Sequence, residues 1–176
     1  MTTATLTRKP RETVRVLAEQ GRDRSTAKAA AWEGSAALPP YWVAVSKVIG
    51  IKPTGLHTVV AQIRAGLPAT TIQFLQRQIG ITNSQLAATV NIPGRTLSRR
   101  AREGRLHADE SERVVRIARL FIRAVQVLGD SDRARQWLKT PKRALAGVTP
   151  LEYADTEPGA EEVLNLLGRL EHGVFT

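Results

Sequence analysis

The sequence predicts an all-α protein. Apolar residues recur at three- and four-residue spacing from Leu56 to Leu170, the period of a helix face. No stretch of strand length alternates apolar with polar residues. Glycine, proline, Thr, Asn and Asp stand where helices end and begin. The chain has 176 residues, 42% hydrophobic and 24% charged, enough for one domain or two small ones.

Residues 1–38 are rich in Thr, Arg and Ala, and only Val14, Val16 and Leu17 cluster before Ala27–Ala31. That stretch reads as a basic arm, mobile or weakly helical, ended by Pro39–Pro40. Tyr41 to Ile51 reads as a short helix packed on the next domain. From Thr54 to Ala65, Leu56, Val59, Val60 and Ile63 have helical spacing, and Gly66 ends the helix. Pro68 opens a helix to Ile79 that buries Ile72, Leu75 and Ile79, with Gly80 as its left-handed stop.

Thr82 followed by Gln85 is a capping box, and Leu86, Ala87 and Val90 point inward after it. Asn91 accepts a left-handed turn, and Pro93 opens a helix to about Arg102 with Leu97 and Ala101 inward. Asp109 with Glu112 predicts the start of the longest helix, whose stripe is Val114, Ala118, Phe121, Val125 and Leu128. Gly129 closes it. Asp130 or Ser131 caps a short helix holding Ala134, Trp137 and Leu138, stopped by Pro141. A loop with Gly147 follows, then one helical turn at Pro150–Ala154. The last helix begins near Pro158, with Glu161 and Glu162 at its positive end, and packs Val163, Leu166, Leu167 and Leu170. Gly173 leaves Val174, Phe175 and Thr176 as a tail.

Charge narrows the function. The formal net charge is +10, from 26 Lys and Arg against 16 Asp and Glu. Residues 68–129 hold ten arginines and four acids, and Arg95, Arg99, Arg100, Arg102 and Arg105 fall close together. Such a patch suits a polyanion. Residues 130–176 carry a net −2 and would repel DNA. No apolar run is long enough for a membrane span, and the opening residues lack the apolar core of a secretory signal. The absence of cysteine suits the cytoplasm and excludes thiol chemistry.

Enzyme readings find little support. His57, His107 and His172 fit no metal-ligand spacing, so no metal and no cofactor is expected. Asp109, Glu110 and Glu112 sit at a helix start, where acids favour the dipole. Phosphate-loop, dinucleotide and nucleophile-elbow motifs are missing, so no small-molecule substrate is expected.

Asn83–Arg102 instead has the physics of a helix-turn-helix. Leu86, Val90, Ile92 and Leu97 are its struts, and Gly94, Arg95, Ser98, Arg99 and Arg102 face outward, where arginines can read guanine in the major groove. Arg100 departs from the pattern, which usually has an apolar residue there. It either snorkels or pairs with an acid such as Glu110. A single unit binds weakly, so a homodimer on a palindromic operator is expected.

The run RTLSRRAREGRLHADESERVVRIARL is similar to the Xre/MbcA/ParS antitoxins. The tail resembles that family's toxin-binding domain through W-L-x-x-P, A-L-x-G-x-x-P-L, a T-x-x-G-A step and a terminal R-x-E-x-G. The resemblance covers about Gly66 to Phe175. It implies a partner toxin of the RES-domain type that degrades NAD, and a chain that is not itself an enzyme. It also implies repression of the shared operon through the helix-turn-helix, and a C-terminal end lying over the toxin's pocket. On this chain that end is Arg169, Glu171, His172, Gly173, Val174 and Phe175. The family often has two glycines where Ala146–Gly147 stands here.

The expected organisation is a basic N-terminal region (1–50), a helix-turn-helix DNA-binding domain (51–107) and a small helical toxin-binding domain (108–176). The alternative function is a stand-alone repressor or DNA-organising adaptor without a toxin partner.

Overall fold

The structure, a computed structural model, describes residues 37–173, so the readings of residues 1–36 and of Val174, Phe175 and Thr176 lie outside the described residues. Contacts divide the chain after Ala37, and the described helices belong to the unit beginning at Leu38. Among the described residues every regular element is helical: α1 (Pro40–Ile49), α2 (Leu56–Ala65), α3 (Thr70–Ile79), α4 (Asn83–Thr89), α5 (Gly94–Glu103), α6 (Ala108–Leu128), α7 (Ser131–Lys139), a 3-10 turn (Arg143–Leu145), α8 (Pro150–Tyr153) and α9 (Glu157–Glu171). None is long and apolar enough to cross a membrane.

The 21-residue α6 organises the rest, packing against α1, α2 and α3 on its way in and α7 and α9 on its way out. Ile117 and Leu120 on α6, Leu75 and Ile79 on α3, Leu138 on α7 and Leu167 on α9 are almost fully buried in one core. Each such aliphatic side chain contributes about 1.5–3 kcal/mol through burial. α1 packs on α6 and α3, as its apolar sequence predicts. Its Tyr41 hydroxyl donates to the Arg119 carbonyl, and the Arg119 guanidinium lies over Trp42.

Local signals place most boundaries. The Thr82 hydroxyl accepts from Gln85 N–H, and Gln85 Oε1 accepts from Thr82 N–H at 2.9 Å. Asn91 turns left-handed (φ 48°) between buried Val90 and Ile92. The Asp130 carboxylate accepts from the N–H groups of Asp132 and Arg133 and so caps α7.

Four expectations need correction. α6 is capped at His107, not by an Asp109–Glu112 box: Glu110 Oε2 accepts from His107 N–H at 2.7 Å. Asp109 instead pairs with Arg113 one turn on. Ala101 is exposed, because the inward place one turn from Leu97 is taken by Arg100. Leu56 and Val60 are also exposed, since α2 turns only Val59 fully toward the core. Pro68 lies outside α3, in an extended segment paired antiparallel with Arg105.

Candidate nucleic-acid interface and carboxy-terminal site

α4 and α5 form the two arms of a helix-turn-helix. Leu86, Val90 and Ile92 fill the space beneath it, and Leu97 is half-buried. Gly94, Arg95, Ser98, Arg99 and Arg102 are all exposed along α5. Ser98 Oγ donates back to the Gly94 carbonyl at 3.0 Å. Arg99 Nε lies 3.7 Å from Glu103, a loose contact that a stronger anion displaces easily. Arg95 and Arg102 have no acid within ion-pair distance among the described residues. An open groove of about 530 Å³ lies against α5, with Ile72, Ala87, Leu97 and Ala101 among its lining residues.

Arg100 faces the other way. Only 4% exposed, it donates from Nε to both carboxylate oxygens of Glu110, from Nη1 to Glu103 Oε2 at 2.6 Å, and it bonds through Nη2 to His107 Nδ1 at 3.0 Å. Arginine has only donors, so Nδ1 is the acceptor in this contact. Burial acts to push the Glu110 carboxyl up, but hydrogen bonds from Arg100 and the His107 N–H hold it below its ordinary value. Hydrogen bonding to Arg100 likewise holds Glu103 down. Of the two readings for Arg100, pairing with Glu110 is the one found.

The carboxy-terminal end is built on α9. The Thr156 hydroxyl accepts from Gly159 N–H at 3.2 Å. A Cβ on Gly159 would lie 1.8 Å from the Tyr153 carbonyl oxygen, which explains the glycine in the T-x-x-G-A step. The A-L-x-G-x-x-P-L stretch buries Leu145, Pro150 and Leu151, and turns the chain at two left-handed residues, Ala146 (φ 55°) and Gly147 (φ 81°). Ala146 therefore occupies a backbone position that favours glycine, one of the two sites where the family often has one.

Two ion pairs fasten α9 along α6. Arg116 Nε meets Glu157 at 2.7 Å near the start of α9, and Arg123 Nη2 meets Glu171 at 2.5 Å near its end. Arg169 pairs with Glu162 at 2.8 Å on the same helix. Hydrogen bonds from Arg169 and Arg123 hold the Glu162 and Glu171 carboxyls below their ordinary values. His172 and left-handed Gly173 are exposed beyond Glu171, and the expected toxin-contacting Val174 and Phe175 lie outside the described residues. The sequence reading brought Arg169, Glu171, His172 and Gly173 together at one end, which is where they stand. It missed Arg116 and Arg123 as fasteners. Their only signal was a row of arginines, with Arg113, one helical turn or two apart along that helix.

These features define a helix-turn-helix protein with a second, acidic helical domain carried on a shared helix. A family model for the antitoxin Xre-like helix-turn-helix domain matches residues 58–119, and one for the antitoxin Xre/MbcA/ParS C-terminal toxin-binding domain matches residues 123–173. The two meet inside α6. An antitoxin Xre of Photorhabdus laumondii is 36% identical over 139 residues, covering 78% of this chain and 91% of that protein. One of Yersinia enterocolitica is 35% identical over 135 residues, covering 76% and 91%. A Prs ADP-ribosylating antitoxin of a Sphingobium species is 23% identical over 126 residues, covering 66% and 79%. The chain belongs to the Xre/MbcA/ParS antitoxin family and is an antitoxin with a helix-turn-helix domain.

Proposed function

We propose that this antitoxin neutralises a RES-domain, NAD-degrading toxin by occluding the toxin's active site, and represses its own operon by binding operator DNA as a homodimer in the cytoplasm. It has no catalytic task of its own. The observation that carries the proposal is an outward arginine face on α5, Arg95, Arg99 and Arg102, tied to α6 through Arg100 and Glu110, together with an exposed end, His172 and Gly173, on α9, which is fastened along the same α6.

The two halves suit different partners. Arg95 and Arg99 provide bidentate donors for guanine edges, with Gly94 allowing close backbone approach and Arg102 available to phosphate. The ion pairs of Arg116 and Arg123 make α9 a firm post from Glu157 to Glu171. A post of that kind presents His172 and Gly173 to a cavity without threading a loop. Arg169 can exchange Glu162 for a toxin carboxylate, since both are only half-buried.

The name of the Sphingobium relative refers to ADP-ribosylation, a reaction that also cleaves NAD. Either chemistry consumes NAD, which supports reading the partner's covered pocket as a nicotinamide-nucleotide one. The test mixes purified RES-domain toxin with the full chain or with a chain lacking Gly173–Thr176, then follows NAD loss and labelling of protein by ADP-ribose. Restored NAD cleavage with the truncated chain supports occlusion. Full inhibition by the truncated chain rejects it. Label transferred to protein, in place of free ADP-ribose, replaces the NAD-degrading reading with the transferase one.

A further inference from the structure

The inference rests on reading α5 as the DNA-facing helix. Gly104 (φ 78°) ends that helix and turns the chain back. The following residues then pair with the segment that enters α3. Ala69 N–H donates to the Gly104 carbonyl at 3.0 Å, and Leu106 N–H donates to the Leu67 carbonyl at 2.8 Å. This pairing delivers Arg105 to the far end of α2, where its Nη1 donates to the Ala65 carbonyl at 3.1 Å. Arg64 is the residue before Ala65, in the last turn of α2. Two arginines from distant parts of the sequence are thus neighbours at the exit of α5. Both are exposed, and neither has an acid within ion-pair distance among the described residues.

We propose that Arg64 and Arg105 form a second contact to DNA, made to the phosphate backbone beside the segment that α5 reads. Arg105 is fastened to the backbone of the residue that follows Arg64, so both exposed side chains start from one surface, and a phosphodiester oxygen there can accept charge-assisted hydrogen bonds from either. The Ala65 carbonyl uses one of Arg105's five N–H donors and leaves the others to turn outward. Arg102, on the outward face of α5, precedes Arg105 by three residues and extends the same cationic run. Cations near the last turn of α2 also favour its dipole. That role affects stability alone and leaves the salt dependence of DNA binding untouched.

The experiment uses the full chain, a duplex taken from upstream of its own coding sequence and a scrambled duplex of equal length. Binding is followed by fluorescence anisotropy over a series of KCl concentrations, with thermal melts as the folding control. Arg64→Gln and Arg105→Gln are each expected to weaken both duplexes by the same factor and to lower the slope of log K against log [KCl] by about 0.9. Arg105→Lys keeps the charge and is expected to keep the slope. Arg95→Ala is expected to change the ratio of affinities between the two duplexes. Wild-type slopes in both glutamine variants would overturn the phosphate contact and leave the reading of α5 standing. A lower Tm with unchanged slope would also overturn it, assigning the pair to the end of α2. Salt-insensitive binding, or none, by the wild-type chain would remove the α5 reading and this contact together.

Discussion

Arg100 Nε lies 2.7 Å from Glu110 Oε2 and 3.0 Å from Oε1, across the junction between the helix that carries the exposed arginines and the helix that carries the rest of the molecule. The same Glu110 oxygen caps the first turn of α6 by accepting from His107 N–H. One carboxylate therefore fixes both the roll of α5 and the start of α6. Turning Arg100 inward sets which of its neighbours face out: Arg99 and Arg102 become exposed, and so does Ala101.

Removing that carboxylate is costly. Glu110→Ala leaves a buried guanidinium short of its main partner and uncaps α6, so we expect a loss of about 3 kcal/mol in urea denaturation. The double change Arg100→Met with Glu110→Met removes both charges and is expected to recover most of the stability, because an apolar pair of similar volume avoids the desolvation penalty. A double variant no more stable than Glu110→Ala would contradict this account.

Acid should destabilise the fold in a defined direction. Glu110, Glu162 and Glu171 all titrate below their ordinary 4.5 in the folded chain. The unfolded chain therefore binds protons first as pH falls. The stabilisation is fully present above the unfolded value and is lost as pH drops through the depressed folded values. Urea midpoints should stay level from about pH 7 to 5 as far as these groups are concerned, then fall steadily below about 4. Added salt should weaken the exposed Arg123–Glu171 contribution more than the buried Arg100–Glu110 one. A midpoint that rises on acidification below pH 4 would reverse the sign.

The loop between α7 and α8 offers a gain. Ala146 is held left-handed at φ 55°, which costs an L-residue about 1–2 kcal/mol. Glycine removes that strain but adds roughly 0.5–1 kcal/mol of unfolded-state entropy. Ala146→Gly should raise stability by about 0.5 kcal/mol, the balance of the two. Gly159→Ala should do the opposite and far more strongly, because the new methyl meets the Tyr153 carbonyl oxygen at the start of α9. Equal melting temperatures for these two variants would refute both arguments.

Arg95→Ala and Arg99→Ala should each cost about 1–3 kcal/mol on the preferred duplex and little on a scrambled one. Arg99 gives up its loose Glu103 contact on binding, so its loss is expected at the lower end of that range. Equal losses on both duplexes would move these residues from base reading to backbone contact.

Local chemistry made much of this protein legible. The Thr82–Gln85 box, the left-handed Asn91, the Asp130 cap and the glycine stops after α3 and α6 need only the nearest few residues, so the sequence determined them alone. The composition of α5 likewise marked its outward arginines before any packing was known. Tertiary structure decided what depends on a distant neighbour. Helical spacing gave α2 an apolar stripe, but only the position of α6 decided that Val59 is covered while Leu56 and Val60 are not. Helical spacing placed Ala101 inward, but the site beside Leu97 went to Arg100, because Glu110 was there to neutralise it. No pattern within α2 or α5 announces that Arg105 reaches Ala65. A cap is settled by backbone groups a turn away, whereas the burial of a charge or the covering of a face is settled by whichever helix folds against it.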